Sequence, residues 1–284
     1  MPIKKKNGVA MIEEERTEHL SPSMINMLKR CEAAFWFRYV CRLKIPPTGA
    51  LVLGSSYDDA LTTNYLQKIK TKNDLEIEDV VDAFITSFNE RKQDAELQEN
   101  ESADKMKDVG VKLVQAYQKT VSPSIQPIAA QKEYNVKFPG VDWILKGISD
   151  VETKNGEIHD NKTSGKTPGK RDGEYLINPD HHFQMLCYSM AKKMESGINA
   201  GNKLYLDYAI KVKYPRVVTI QIPPPSPSDM KHFQIITATS RQKIELLKRG
   251  YTQPLPNRSN MMCSRKYCGF WAECEKKFGG TVKE

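Results

Sequence analysis

The sequence predicts an α/β protein, helical in its first half, stranded in its middle and closed by a cysteine-bearing tail. Three observations predict this. Apolar residues recur at helical spacing before Pro127, as in Val80, Phe84 and Phe88. After Pro127 come short, partly alternating runs bounded by Pro139-Gly140 and Asn155-Gly156, the punctuation of antiparallel strands. Three of the six cysteines, Cys263, Cys268 and Cys274, then crowd the C-terminal end.

Residues 1–19 are charged, lack periodicity and are expected to form a flexible tail. Ser21-Pro22-Ser23 opens a helix, with Ser21 as N-cap and Pro22 in the first helical position. That helix is expected to carry Ile25, Leu28, Ala33, Phe35, Trp36 and Tyr39. After the loop Ile45-Pro46-Pro47-Thr48-Gly49, a second helix is expected from near Gly54. Residues 77–91 form an amphipathic helix, and Met106, Val109, Leu113 and Tyr117 mark another beyond a polar connection. Strands are expected over 131–138, 143–153 and 157–163, followed by a Gly-, Lys- and Asp-rich loop over 163–180. A helix over 181–194 leads to a strand in which Leu204, Leu206, Tyr208, Ile210 and Val212 share a face. A last strand, 217–222, ends at Pro223-Pro224-Pro225, and a long helix spans about 227–249. Residues 20–284 read as one domain: a helical part 20–125, a core 126–250 and a tail 251–284.

No apolar run approaches the length that crosses a bilayer. The basic start lacks an apolar stretch behind it, so no secretory signal is expected and the protein is placed in the cytoplasm. There, clustered cysteines point to metal rather than disulfides. The net charge of +8 raises the expectation of a polyanionic partner without proving one.

The stretch Gly147-Ile-Ser-Asp150 through Ser164 is the most informative. A two-residue turn at Asn155-Gly156 would pair 150 with 161 and send Asp150 and Asp160 to opposite faces. A three-residue turn, Lys154-Asn155-Gly156, pairs 153 with 157 and opposes 150 to 160; its left-handed position falls on Gly156. The side-chain roots of the two aspartates then stand roughly 5 Å apart, with Lys162 two residues on and facing the same way. Opposed carboxylates repel unless a cation lies between them, and hard oxygen donors suit magnesium or manganese. Spacing alone favours an exposed hairpin with solvated charges.

Several segments together resemble the RecB-like PD-(D/E)XK nucleases, which include the AddB C-terminal nuclease, CRISPR-associated RecB-like exonucleases and phage homologues. Residues 20–40, with Cys31 before an aromatic run, resemble their opening helix. The Gly-Ile-Ser-Asp ending at Asp150 resembles their second motif, His-Asp-Asn-Lys with Asp160 and Lys162 the third, and Gln184 with Tyr188 their Q-x-x-x-Y helix. The ordered matches run from residue 20 to 275. The resemblance implies a PD-(D/E)XK core with a helical N-terminal insertion. It implies Asp150, Asp160 and Lys162 at a Mg2+ or Mn2+ site, and Gln184 and Tyr188 beside that site and meeting DNA. Asp58 stands where such proteins often carry a histidine, four residues after Gly54; it is a candidate third metal ligand, and the departure leaves metal preference and rate open. His159 alternates away from Asp160, Glu133 reads as structural, and His181 and His182 read as loop or cap residues.

The resemblance also implies that Cys263, Cys268 and Cys274 join Cys31 around a [4Fe–4S] cluster, tying the tail to the N-terminal region. Cys41 is the rival fourth ligand, Cys187 is expected to be packed in its helix, and zinc is the alternative metal. Phe35, Trp36, Phe270 and Trp271 are expected to shield the cluster. Lys166, Lys170 and Arg171, behind the third motif, suit phosphate contacts or a solvated loop. The function implied is a metal-dependent DNA nuclease, an exonuclease on single-stranded ends, in a bacterial, archaeal or phage-infected cell. The other readings are a DNA-binding iron–sulfur protein with a weak nuclease site in a recombination, repair or CRISPR-type complex, and a zinc-stabilised structural partner.

Overall fold

A computed structural model describes residues 19–99, 101–137 and 143–283, together with the backbone of two short strands at Lys5–Lys6 and Val9–Ala10. The tail expected over 1–19 otherwise lies outside the described residues, as does the Pro139-Gly140 turn.

At the centre is a six-stranded mixed sheet. Strand β1 (Pro127–Lys137) pairs antiparallel with β2 (Ile144–Thr153) along nearly its whole length. The other edge of β2 is shared. Its C-terminal end pairs with β3 (Glu157–Ser164), and its N-terminal end pairs in parallel with the two-residue strand His19–Leu20. Beyond β3 lie β4 (Lys203–Ile210) and β5 (Arg216–Ile222). The pairing of β3 with β4 is parallel, which the strand patterns did not specify, and β4 with β5 is antiparallel.

Two apolar layers cover the sheet. On one face pack α1 (Pro22–Arg30), α5 (Pro179–Ser196) and α6 (Pro227–Arg249), through Ile25, Phe183, Phe233 and Ile244 against Leu204, Leu206 and Ile210. On the other pack α2 (Gly49–Thr71), α3 (Ile77–Arg91) and α4 (Ala103–Thr120), through Tyr57, Tyr65, Phe84, Phe88, Leu113 and Tyr117 against Val151 and Ala209. Both faces of β4 are therefore buried, so Asp207 and Ala209 are as inaccessible as the apolar residues alternating with them.

Two helix boundaries differ from expectation. Helix α2 begins at Gly49, five residues before Gly54, because the Thr48 hydroxyl accepts from the Leu51 amide (3.3 Å) and caps the first turn. The opening helix, capped by Ser21 at Met24 N (3.2 Å), is not continuous. It stops at Arg30, Cys31 is extended, and helix resumes over Glu32–Phe35 before passing into a π-helical turn, Trp36–Val40. The tail causes the break. Asn257 Nδ2 donates to Arg30 O (3.0 Å), Asn257 N to Cys31 Sγ (3.5 Å) and Ala33 N to Leu255 O (3.3 Å), so groups freed by the interruption find partners more than 200 residues away in sequence.

Candidate active site and cysteine cavity

The hairpin joining β2 to β3 has the expected three-residue turn. Gly156 has φ +78°, its amide donates to Thr153 O (3.0 Å), and Val151 pairs with His159, the register that opposes Asp150 to Asp160 one step on. There the ladder ends. Asp150 Oδ2 takes the Asn161 amide proton instead (2.7 Å), and β2 and β3 part, leaving a fork in the sheet.

Strand β2 also breaks its alternation here. Gly147 approaches the Tyr188 ring and Glu152 pairs with Lys192, so residues five apart both face α5, which a regular strand forbids. The irregularity lies where Gln131 of β1 takes φ +49° opposite Asp150 and donates through Nε2 to Asp150 Oδ1 (3.3 Å). Both oxygens of Asp150 are thus held. A residue with a side chain in that region costs about 1–3 kcal/mol. Gln131 carries no sequence signal; only the backbone reveals it.

Lys162 forms an ion pair with the buried Asp160. Gln184 Nε2 donates to Asp160 Oδ1 (3.1 Å) and to Tyr188 Oη (2.6 Å). Asp160, Lys162, Gln184 and Tyr188 therefore form one connected group, with Gln184 and Tyr188 one turn apart on α5. Asp58 comes from the far side. A Cβ on Gly54 would lie 3.5 Å from Thr163 Oγ1, so α2 crosses close to the end of β3 and carries Asp58 into the same electrostatic environment. Burial, then the Asp150 charge, raise the Asp58 carboxyl well above its usual range, with Lys162 opposing. Burial, then Asp160, push Asp150 up to about 7. Burial opposes charge on Lys162, but Asp160 and Asp150 outweigh it and raise its pKa.

His159 lies on the opposite face, its Nδ1 2.8 Å from Asp207 Oδ2 in a buried pair, in keeping with its exclusion. Glu133 is exposed opposite Ile148. His181 is a helix residue rather than a loop residue. It lies in the first turn of α5, 2.8 Å from Tyr208 Oη, where burial and then the Lys162 charge lower its pKa. Lys170 and Arg171 stand in a small exposed hairpin whose turn, Asp172-Gly173, has φ of +52° and +86°.

The cysteines sort into two kinds. Cys31, Cys263, Cys268 and Cys274 line one largely apolar cavity of about 130 Å³ between the broken opening helix and the tail. Cys187 is buried in the main core, and Cys41 lies outside the cavity wall. The apolar shield differs from expectation: Phe37, not Phe35, stacks on Phe270 (5.8 Å), because Phe35 turns into the main core. Trp36 packs against the same cluster, while Trp271 lies under Arg265 (4.5 Å). Burial raises Cys268 and Cys274, and nearby thiols of the same set raise them further.

Among the described residues, no three His, Cys, Asp or Glu side chains form a ready group able to hold a metal ion. The donor chemistry nevertheless fits. Three mutually repelling carboxylates facing one lysine are what a hard divalent cation would relieve. Four thiols in an apolar cavity are what a thiolate-bound cluster or zinc would need.

No curated protein matches the chain. Among solved structures, the chain is similar to one named "Putative exonuclease" from Eubacterium rectale, at a TM-score of 0.59 and 14% identity over 87% of each chain, a likeness of fold. A second, SSO0001, has 15% identity over 91% of this chain and 96% of its own, at a TM-score of 0.38. A profile of the PD-(D/E)XK nuclease superfamily matches residues 19–275. With that match spanning nearly the whole sheet and its helices, the chain belongs to the PD-(D/E)XK nuclease superfamily.

Proposed function

We propose that the chain is a divalent-metal-dependent deoxyribonuclease acting on DNA ends, with Asp58, Asp150 and Asp160 as metal ligands. Lys162, Gln184 and Tyr188 complete the site. The observation that carries this reading is the linked set at the fork: Lys162 and Gln184 both on Asp160, and both Asp150 oxygens held by Gln131 and Asn161. When bound, Mg2+ or Mn2+ would polarise water and neutralise charge on the scissile phosphate. The Lys162 ammonium, held cationic by the two aspartates, is disposed to stabilise the same developing charge or to orient the attacking water. Gln184 fixes Asp160 through Oδ1, leaving the other carboxylate oxygen to the lysine.

Cys31, Cys263, Cys268 and Cys274 are proposed to hold a [4Fe–4S] cluster with a structural role, zinc being the alternative. Exonuclease action is supported by the name of the Eubacterium rectale protein and by nothing more direct. The second reading is a DNA-binding protein with a weak site, within a recombination, repair or CRISPR-type assembly. It rests on Asp58, which stands where such nucleases often carry a histidine.

The test is anaerobic purification, a visible spectrum, and incubation of end-labelled DNA with Mn2+. Asp160→Ala and Lys162→Ala should each abolish cleavage while circular dichroism stays at the parent value. Cleavage at the parent rate by either variant sinks the assignment.

A further inference from the structure

His181 is a titratable side chain at the edge of the candidate site that the nuclease reading leaves without a task. It lies on α5 three residues before Gln184 and seven before Tyr188, a spacing that puts all three on one stripe of the helix. All three line one groove together with Lys162.

The imidazole is held from the sheet. Lys162 of β3 and Tyr208 of β4 are partners in the parallel ladder, so their side chains leave the sheet on the same face. Tyr208 is buried, and its Oη lies 2.8 Å from His181 Nδ1, the two rings being 5.8 Å apart and tilted by 37°. The tyrosine thus carries the imidazole beside Lys162. Burial, then the Lys162 charge, disfavour the imidazolium, and they outweigh Asp160 and Asp180, which favour it. The position in the first turn of α5 acts the same way, because the helix dipole there opposes a cation.

The hydrogen bond also fixes the tautomer. A buried phenol needs an acceptor for its proton, and among the described residues Nδ1 is the one that Tyr208 Oη has. Tyr208 therefore donates and Nδ1 accepts. A neutral ring whose Nδ1 accepts carries its proton on Nε2. His181 makes no second hydrogen bond among the described residues, and Nε2 is not one of their buried, unpartnered polar atoms. The Nε2–H donor is open to the groove.

We infer that His181 is a catalytic residue, its Nε2–H donating to an oxygen of the scissile phosphate as charge builds there, with Tyr208 as the positioning residue that fixes its tautomer. Lys162 brings charge to the same phosphate. An uncharged donor adds a hydrogen bond without placing a second cation against the lysine and the metal. The inference rests on the nuclease reading and adds to it one residue and its proton state.

The experiment has two parts. Ring-nitrogen NMR shifts of the histidine-labelled parent, in EDTA near neutral pH, should show His181 as the neutral Nε2–H tautomer. The signal is assigned by its loss in His181→Gln, and an imidazolium or an Nδ1–H tautomer overturns the inference. Cleavage of end-labelled DNA with Mn2+ then gives kcat and KM. His181→Ala should lower kcat roughly a hundredfold, the usual effect of removing one preorganised donor, with KM within about twofold of the parent. His181→Gln, which restores an N–H at similar reach, should recover roughly tenfold of that loss. Mn2+ affinity, measured by calorimetry, should be unchanged in both variants. A merely structural histidine would lower the melting temperature and show no such rescue. Parental kcat in His181→Ala, a loss confined to KM, or weakened Mn2+ binding each overturns the inference. Should His181→Ala fail to fold, Tyr208→Phe decides: kcat should fall roughly tenfold at an unchanged circular dichroism spectrum, and parental kcat overturns the inference. Failure of the nuclease reading looks different: the parent itself cleaves no DNA, whatever the tautomer.

Discussion

Asp150 is the residue on which stability and the proposed chemistry pull hardest against each other. Its carboxyl is pushed to about 7 by burial and by Asp160, against about 3.9 for an aspartate in an unfolded chain. Between those values the folded protein binds more protons than the unfolded one, so stability falls as pH rises through about 4 to 7. In EDTA the melting temperature should therefore decline across that window. Asp150→Asn should flatten the decline, raise the melting temperature near pH 7 by a few degrees, and remove cleavage. A melting temperature that rises with pH in the parent would refute the account. At Gly147 a Cβ would stand 3.0 Å from the Tyr188 ring, whose hydroxyl receives the Gln184 proton. Gly147→Ala should displace that ring by a few tenths of an ångström. Cleavage should fall roughly tenfold with little change in melting temperature, because misplacement near a reacting centre costs rate before it costs fold.

Individual elements are held by single close contacts. Helices α3 and α4 cross where Gly110 meets Phe84; a Cβ there would lie 2.0 Å from the ring. Alanine ordinarily favours a helix over glycine by about 1 kcal/mol. Here the forced shift of a fully buried ring should outweigh that, so Gly110→Ala should destabilise by about 1–3 kcal/mol in urea unfolding. The opening helix makes the complementary point. Its apolar residues read as one continuous helix, yet Cys31 is extended because Leu255 and Asn257 supply hydrogen bonds that compete with the helical ladder. The break turns Cys31 and Phe37 toward the tail, while Phe35 stays in the main core.

Across the whole molecule, the proposed cluster would join position 31 to 263. Closing so long a loop removes roughly 5 kcal/mol of unfolded-chain entropy on the disulfide relation, comparable with the whole stability of many domains. Cys31→Ala should therefore lose iron and brown colour and melt well below the parent, with activity falling as the protein unfolds. Cys41→Ala and Cys187→Ala, outside the cavity, should keep the colour. Full iron retention by Cys31→Ala, or zinc without iron in anaerobically prepared parent, removes the cluster proposal.

What the sequence alone determined about this protein is whatever short-range geometry dictates. The turn at Lys154-Asn155-Gly156 and the hairpin register it sets, the one-turn spacing of Gln184 and Tyr188, and the extents of α3 and α6 all follow from neighbours a few residues apart. Tertiary structure decided what depends on distant partners. The parallel pairing of β3 with β4, the extended Cys31, the choice of Cys31 over Cys41 at the cavity and the left-handed Gln131 behind Asp150 belong to this class. Local hydrogen bonds and turn preferences are written in adjacent side chains. Which strand lies beside which, and which helix must break to seat a tail, is settled only when buried surface and unpaired backbone groups are satisfied across the whole chain.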